Sequence, residues 1–128
     1  MQVGDEMGPF HLTVTREQLV RYAGASDDYN PIHYDDEAAR AFGLPGVIVH
    51  GMLNMGLIAR LVLEAGLPPG SRLARYQVRF RSMVQPGQRL AITARVQALD
   101  ESRATLNVSL GIPGEKPSVQ GKMVVQLP

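Results

Sequence analysis

The hydrophobic period of this chain changes once along its length, and that change limits what it can fold into. From Val47 to Leu63 the sequence VIVHGMLNMGLIARLVL is apolar on nearly every side, with His50, Asn54 and Arg60 as its polar interruptions. A helix of that kind is one surrounded by protein. It is not a membrane span, which needs roughly 20 apolar residues with few or no charges. Beyond Gly66 and Pro68-Pro69-Gly70 the apolar residues recur at every second position: Tyr76, Val78 and Phe80, then Leu90 to Val96, Leu106 to Leu110, and Met123 to Leu127. Such alternation belongs to strands with one buried face. Gln85-Pro86-Gly87, Asp100-Glu101-Ser102 and Pro113-Gly114 separate them with turn chemistry. One buried helix followed by four half-buried strands predicts an α+β domain, an antiparallel sheet packed on that helix.

The N-terminal half fills in the rest. Phe10 to Val14 alternates and reads as a first strand. Thr15-Arg16-Glu17-Gln18 has the form of a capping box, with Val14 and Leu19 placed as its hydrophobic staple. A helix from about Arg16 to Ala23 follows, with Gly24 as its stop. Asp35-Asp36-Glu37 puts negative charge at the start of a second helix that runs through Ala41 to Gly43, with Pro45 beyond. The long apolar helix starts at His50-Gly51 and extends to about Ala65.

A chain of 128 residues with 45% hydrophobic content builds one core, so residues 1–128 read as a single domain. The net charge of +1 gives no ground for a nucleic-acid or anionic-membrane partner. The absence of cysteine removes disulfides, thiolate metal sites and cysteine nucleophiles. It fits a cytoplasmic location, as does the lack of a signal-peptide pattern in Met1 to Pro9.

The stretch SDDYNPIHYDD, Ser26 to Asp36, concentrates polar chemistry. Asp28 and His33 are five positions apart. On an α-helix that spacing leaves two side chains about 140° apart, unable to cooperate. Pro31 pushes Asn30 out of the helical region, and the Asn30 amide can tie its own backbone into a turn. The stretch is therefore expected to be a rigid loop that presents a carboxylate and an imidazole together. Around neutral pH such a pair passes protons both ways. No Gly-x-Ser-x-Gly elbow supplies a nucleophile, and a calcium loop would need a glycine and a regular spacing that are lacking. The pair then suits handling a water molecule, with no metal and no cofactor required. The same residues also allow a plainer reading, in which Asp28 caps a turn and His33 is a satisfied polar side chain.

Gly46-Val47-Ile48-Val49-His50-Gly51-Met52 enters the apolar helix through a glycine. The first amides of a helix lack intrahelical partners and carry partial positive charge. A glycine there lets a carbonyl approach the backbone, so Gly51 suits an oxyanion contact, for instance to an enolate formed from a thioester. The alternative is that Gly51 serves tight packing and His50 caps the helix.

Taken together, YAGASDDYNPIHYDDEAA (Tyr22 to Ala39) and VIVHGML (Val47 to Leu53) resemble the MaoC-like family, which includes the (R)-specific enoyl-CoA hydratases and the (3R)-hydroxyacyl thioester dehydratases. The resemblance implies a hotdog fold and a hydro-lyase acting on an acyl-CoA or acyl carrier protein thioester. It further implies that Asp28 and His33 are the catalytic pair, that Asn30 supports the loop, and that the Gly51 amide serves the oxyanion. One departure is Asp27, where many members carry glycine. A hotdog acyl-thioester hydrolase and a non-catalytic acyl-binding subunit of a heterodimer are the rival readings.

A homodimer is expected, because a short sheet around one helix leaves edge strands to cover and symmetric pairing is the commonest way to do so. Related hotdog proteins also build their sites where two units meet. Met52 and Met55 would be core filler or the lining of an acyl tunnel. Arg75, Arg79 and Arg81 form a basic row that would meet the phosphates of CoA or an acidic carrier, or simply be solvated. His11 is expected to be an ordinary exposed residue.

Overall fold

The computed structural model describes residues 1–128. The chain runs β1 (Glu6–Thr13), α1 (Arg16–Ser26), a 3-10 turn (Pro31–His33), α2 (Asp36–Ala41), α3 (Gly51–Leu61), a π-turn (Val62–Gly66), β2 (Arg72–Phe80), β3 (Arg89–Leu99), β4 (Arg103–Gly111) and β5 (Val119–Gln126). The strands form one sheet in the order β1-β3-β4-β5-β2, and every neighbouring pair is antiparallel.

The alternation in the sequence dictates the register. Val96 lies opposite Leu106 and Leu106 opposite Met123, while Ile92 faces Leu110 and Leu110 faces Val119. A slip of one residue would turn every one of these side chains to solvent. The rows close over Ile58 and Val62 of the helix in one cluster of buried apolar residues. Burying each such side chain is worth about 1.5–3 kcal/mol. The Tyr76 hydroxyl clasps β2 to the helix by donating to the Met55 carbonyl at 2.7 Å, and burial holds its phenol well above the usual tyrosine range. A sheet wrapped on one apolar helix is the hotdog arrangement expected above.

Several boundaries differ from expectation. β1 begins at Glu6 instead of Phe10 and shifts register between Met7 and Phe10, across Gly8-Pro9. A proline is tolerated because β1 is an edge strand, whose outward amides have no partner to lose. α1 passes through Gly24 to Ser26 and closes at Asp27, which takes the left-handed conformation (φ 58) and donates its N–H to Ala23. Glycine would adopt that conformation without strain, so Asp27 stands where a glycine would be at ease. The capping box of Thr15 and Gln18 is formed in full.

α3 is not enclosed on all sides. Its buried residues are Asn54 and Ile58, and Met52 is 61% exposed. The sheet covers one side of the helix only. The helix also changes to the wider π-turn at Val62, before the expected end at Ala65.

Candidate active site

The loop after α1 bends where the sequence requires. The Asn30 side chain accepts from the Ile32 amide at 3.3 Å and caps the 3-10 turn, whose first residue is Pro31. The Asp28 carboxylate accepts from the Asn30 amide at 3.3 Å. The Asn30 side chain therefore shapes the loop, and its backbone carbonyl accepts from the His33 amide at 3.1 Å.

The segment before α3 forms the opposite wall. Val49 donates to Val84 at 2.7 Å, Ile48 donates to Ile32 at 3.1 Å, and Val47 donates to the Asp36 carboxylate at 3.0 Å. The segment so fixed offers the Ile48 carbonyl to His33 Nδ1 at 2.8 Å. A carbonyl only accepts, so the proton of neutral His33 sits on Nδ1 and Nε2 is bare. That Nε2 lies 3.9 Å from Asp28 Oδ2, with the carboxylate half-exposed and the imidazole nearly buried. The separation is too long for a direct hydrogen bond. An oxygen about 2.8 Å from each atom would complete the triangle, so the two groups can hold one water between them.

Asp36 anchors this wall, and its titration gives a test. The Val47 amide holds its carboxyl below the usual aspartate range, against a smaller opposing effect of burial, and the Arg16 guanidinium at 3.0 Å adds to the lowering. Because the folded pKa is depressed, the stabilisation is full above the ordinary value of 3.8 and is lost as pH falls through the folded value. Acid unfolding of Asp36→Asn, followed by circular dichroism, is expected to show a shallower loss of stability below that pH than the parent.

Gly51 is the first residue of α3, and its amide meets no acceptor within the chain. The Phe80 ring packs against it, close enough that a Cβ on residue 51 would lie 3.2 Å from the ring. His50 occupies the N-cap position, but the alternative in which it caps the helix fails, because its side chain makes no capping hydrogen bond. Instead its ring stacks on His33, with centroids 3.7 Å apart and planes 20° apart, and takes the edge of Tyr22 at 4.8 Å. His50 is thus a member of the cluster that sequence reasoning placed elsewhere. The available signal was its type, since histidine is a poor N-cap beside Ser, Thr, Asp or Asn.

Asp28, His33 and His50 each offer a ligand atom within 4.8 Å of the others. The two rings are nearly parallel, so their in-plane lone pairs run side by side and do not converge on one ion. The trio is built as an imidazole stack facing a carboxylate.

The other singled-out residues lie apart. Arg75, Arg79 and Arg81 are exposed and take part in none of the ion pairs. Size does not locate the chemistry either. A groove of about 840 Å³ lies over β2, β4 and β5 between residues such as Gln77, Arg79, Asn107 and Lys122, and none of the site residues lines it.

The MaoC like domain model matches residues 2–113. The chain belongs to the MaoC-like family. It is 31% identical over 113 residues to an (R)-specific enoyl-CoA hydratase of Aeromonas caviae, an alignment covering 87% of this chain and 84% of that protein. The solved structure of the (R)-hydratase from A. caviae involved in PHA biosynthesis superposes with a TM-score of 0.93 at 28% identity, covering 100% of this chain and 98% of that one. A fungal relative, the fatty acid synthase β subunit hexB of Dothistroma septosporum, is 39% identical over 89 residues, which span 69% of this chain but only 5% of that much longer protein. No helix of this MaoC-like chain is long and apolar enough to cross a membrane.

Proposed function

We propose that this chain reversibly hydrates trans-2-enoyl thioesters, carried on CoA or acyl carrier protein, to (R)-3-hydroxyacyl thioesters. The observation that carries the reading is the 3.9 Å gap between His33 Nε2 and Asp28 Oδ2, with the Gly51 amide following directly on His50, whose ring stacks on His33. Water held in that gap gives its oxygen to the β-carbon and a proton to the pair. The π electrons of the double bond move toward the thioester carbonyl, whose oxygen gains charge and is held by the Gly51 amide. The pair then returns a proton to the α-carbon, and atoms and charge balance with no cofactor. The R configuration of the product rests on the similarity to the (R)-specific enoyl-CoA hydratase of A. caviae.

A family relationship to a hydratase does not by itself separate hydration from thioester cleavage, and one incubation does. With an enoyl thioester the expected product is a 3-hydroxyacyl thioester and no free thiol. Thiol release at the rate of substrate loss would establish the hydrolase instead.

The working unit in this reading is a homodimer. β2 is an edge strand, and Leu73, Phe80 and Met83 on or just after it are exposed together with Met52 of α3. A second copy pairing along β2 would cover these side chains and the open flank of the helix. Light scattering at assay concentration is expected to give twice the chain mass of 14.0 kDa, and an active monomer would contradict it.

A further inference from the structure

Two buried polar side chains at the start of α3, one on its N-cap and one in its second turn, have no part in the chemistry above. His50 and Asn54, 1% and 3% exposed, stand one helical turn apart on the stripe that continues to Ile58. Each keeps a buried polar atom without a partner, Nδ1 of His50 and Oδ1 of Asn54. Buried polar atoms are ordinarily paired, so two orphans on one stripe call for a reason.

The tautomers follow from the contacts. The Asp28 carbonyl oxygen only accepts, and His50 Nε2 faces it at 3.4 Å, so Nε2 carries the proton of neutral His50 and Nδ1 is a bare acceptor. His33, stacked on it, has the opposite arrangement, with its proton on Nδ1 toward Ile48. The groups facing His50 are His33 from the 3-10 turn, Tyr22 from α1 and Asp28 from the loop between them. Burial first, and the neighbouring His33 second, hold His50 below the ordinary histidine range. Both effects favour its neutral form.

We propose that His50 is a positioning residue: its neutral ring backs His33, its Nε2–H fixes the Asp28 backbone, and Asn54 sets that tautomer by turning its NH2 toward His50 Nδ1. The oxygen and nitrogen of an Asn amide exchange places on a half-turn, so Asn54, one turn along the same stripe, can offer an N–H donor in place of its unpartnered Oδ1. The effect on turnover rests on the hydration reading; the tautomers do not.

The test has two arms. The chain has only three histidines, so imidazole ¹⁵N shifts can be assigned with His11→Gln and His33→Gln. At neutral pH the expected result is Nδ1–H for His33 and Nε2–H for His50. In Asn54→Asp, whose carboxylate only accepts, His50 should gain a proton on Nδ1. An Nδ1–H tautomer in the parent, or shifts unmoved in Asn54→Asp, overturns the proposal. In the kinetic arm His50→Phe keeps a ring and removes the donor. Its kcat should fall roughly tenfold with KM unchanged, the worth of one hydrogen bond. His50→Gln, which restores a donor near Nε2, should recover most of that loss. Full activity in His50→Phe, or losses in both variants that simply track their melting temperatures, overturns it. If His50→Phe does not fold, the nitrogen shifts decide. A parent that hydrates nothing would sink the hydration reading and leave the tautomers to be judged on their own.

Discussion

Gly51→Pro is expected to lower kcat by about 10²–10³, the usual loss for one oxyanion donor, while the protein stays folded. The backbone permits the substitution. Gly51 is not among the residues with a left-handed φ, and it is the first residue of α3, where the missing N–H of proline costs no intrahelical bond. His50 before it has φ −56 and ψ 131, the extended conformation that a residue preceding proline prefers. The crowding is against the Phe80 ring, which is half-exposed and free to yield. Gly51→Ala is the control, because it brings the same Cβ to Phe80 and keeps the amide. Stopped-flow and steady-state kinetics should find Gly51→Ala close to the parent and Gly51→Pro collapsed in kcat with KM less affected. Equal losses in the two variants would assign the defect to crowding. A folded and fully active Gly51→Pro would remove this amide from the oxyanion contact.

Asp28→Asn and His33→Gln are each expected to lower kcat by at least about 10², the low end for loss of a general acid–base group. Their structural consequences differ. The Asp28 side chain is half-exposed and Asn retains an oxygen for the Asn30 amide, so its melting temperature should barely move. The His33 ring is nearly buried, and His33→Gln leaves the Ile48 carbonyl to find another donor. A stability loss of about 0.5–1.5 kcal/mol, read by denaturant unfolding, fits one such hydrogen bond. Near-parental turnover in either variant would show that the pair does not handle the proton.

Legibility in the sequence followed the range of the interactions. The capping box of Thr15 and Gln18, the turn at Asn30-Pro31 and the inward phase of β3, β4 and β5 are local in origin and were readable from spacing alone. The convergence of Asp28 and His33 was readable because Pro31 forbids the helix that would have parted them. What was not readable depends on neighbours distant in sequence. His50 looks like a helix cap until the wall at Ile48 brings it under His33, a contact between two loops with no periodicity to announce it. Gly8-Pro9 lies ahead of the strand expected from Phe10, and a place at the sheet edge lets it join that strand. The apolar run of α3 suggested full enclosure, whereas a single chain covers one side and leaves Met52 outside.

The central claim is that the Asp28 and His33 pair adds water to an enoyl thioester, and the conjugated double bond supplies its own signal. Purified protein should be mixed with crotonyl thioesters of CoA and of acyl carrier protein, and with longer enoyl chains, while the enoyl absorbance is followed. The account predicts an enzyme-dependent loss of that absorbance on at least one substrate, reversible from the (R)-3-hydroxyacyl thioester and reduced by at least about 10² in Asp28→Asn. Unchanged absorbance on every chain length and both carriers, from a folded dimer, would contradict it.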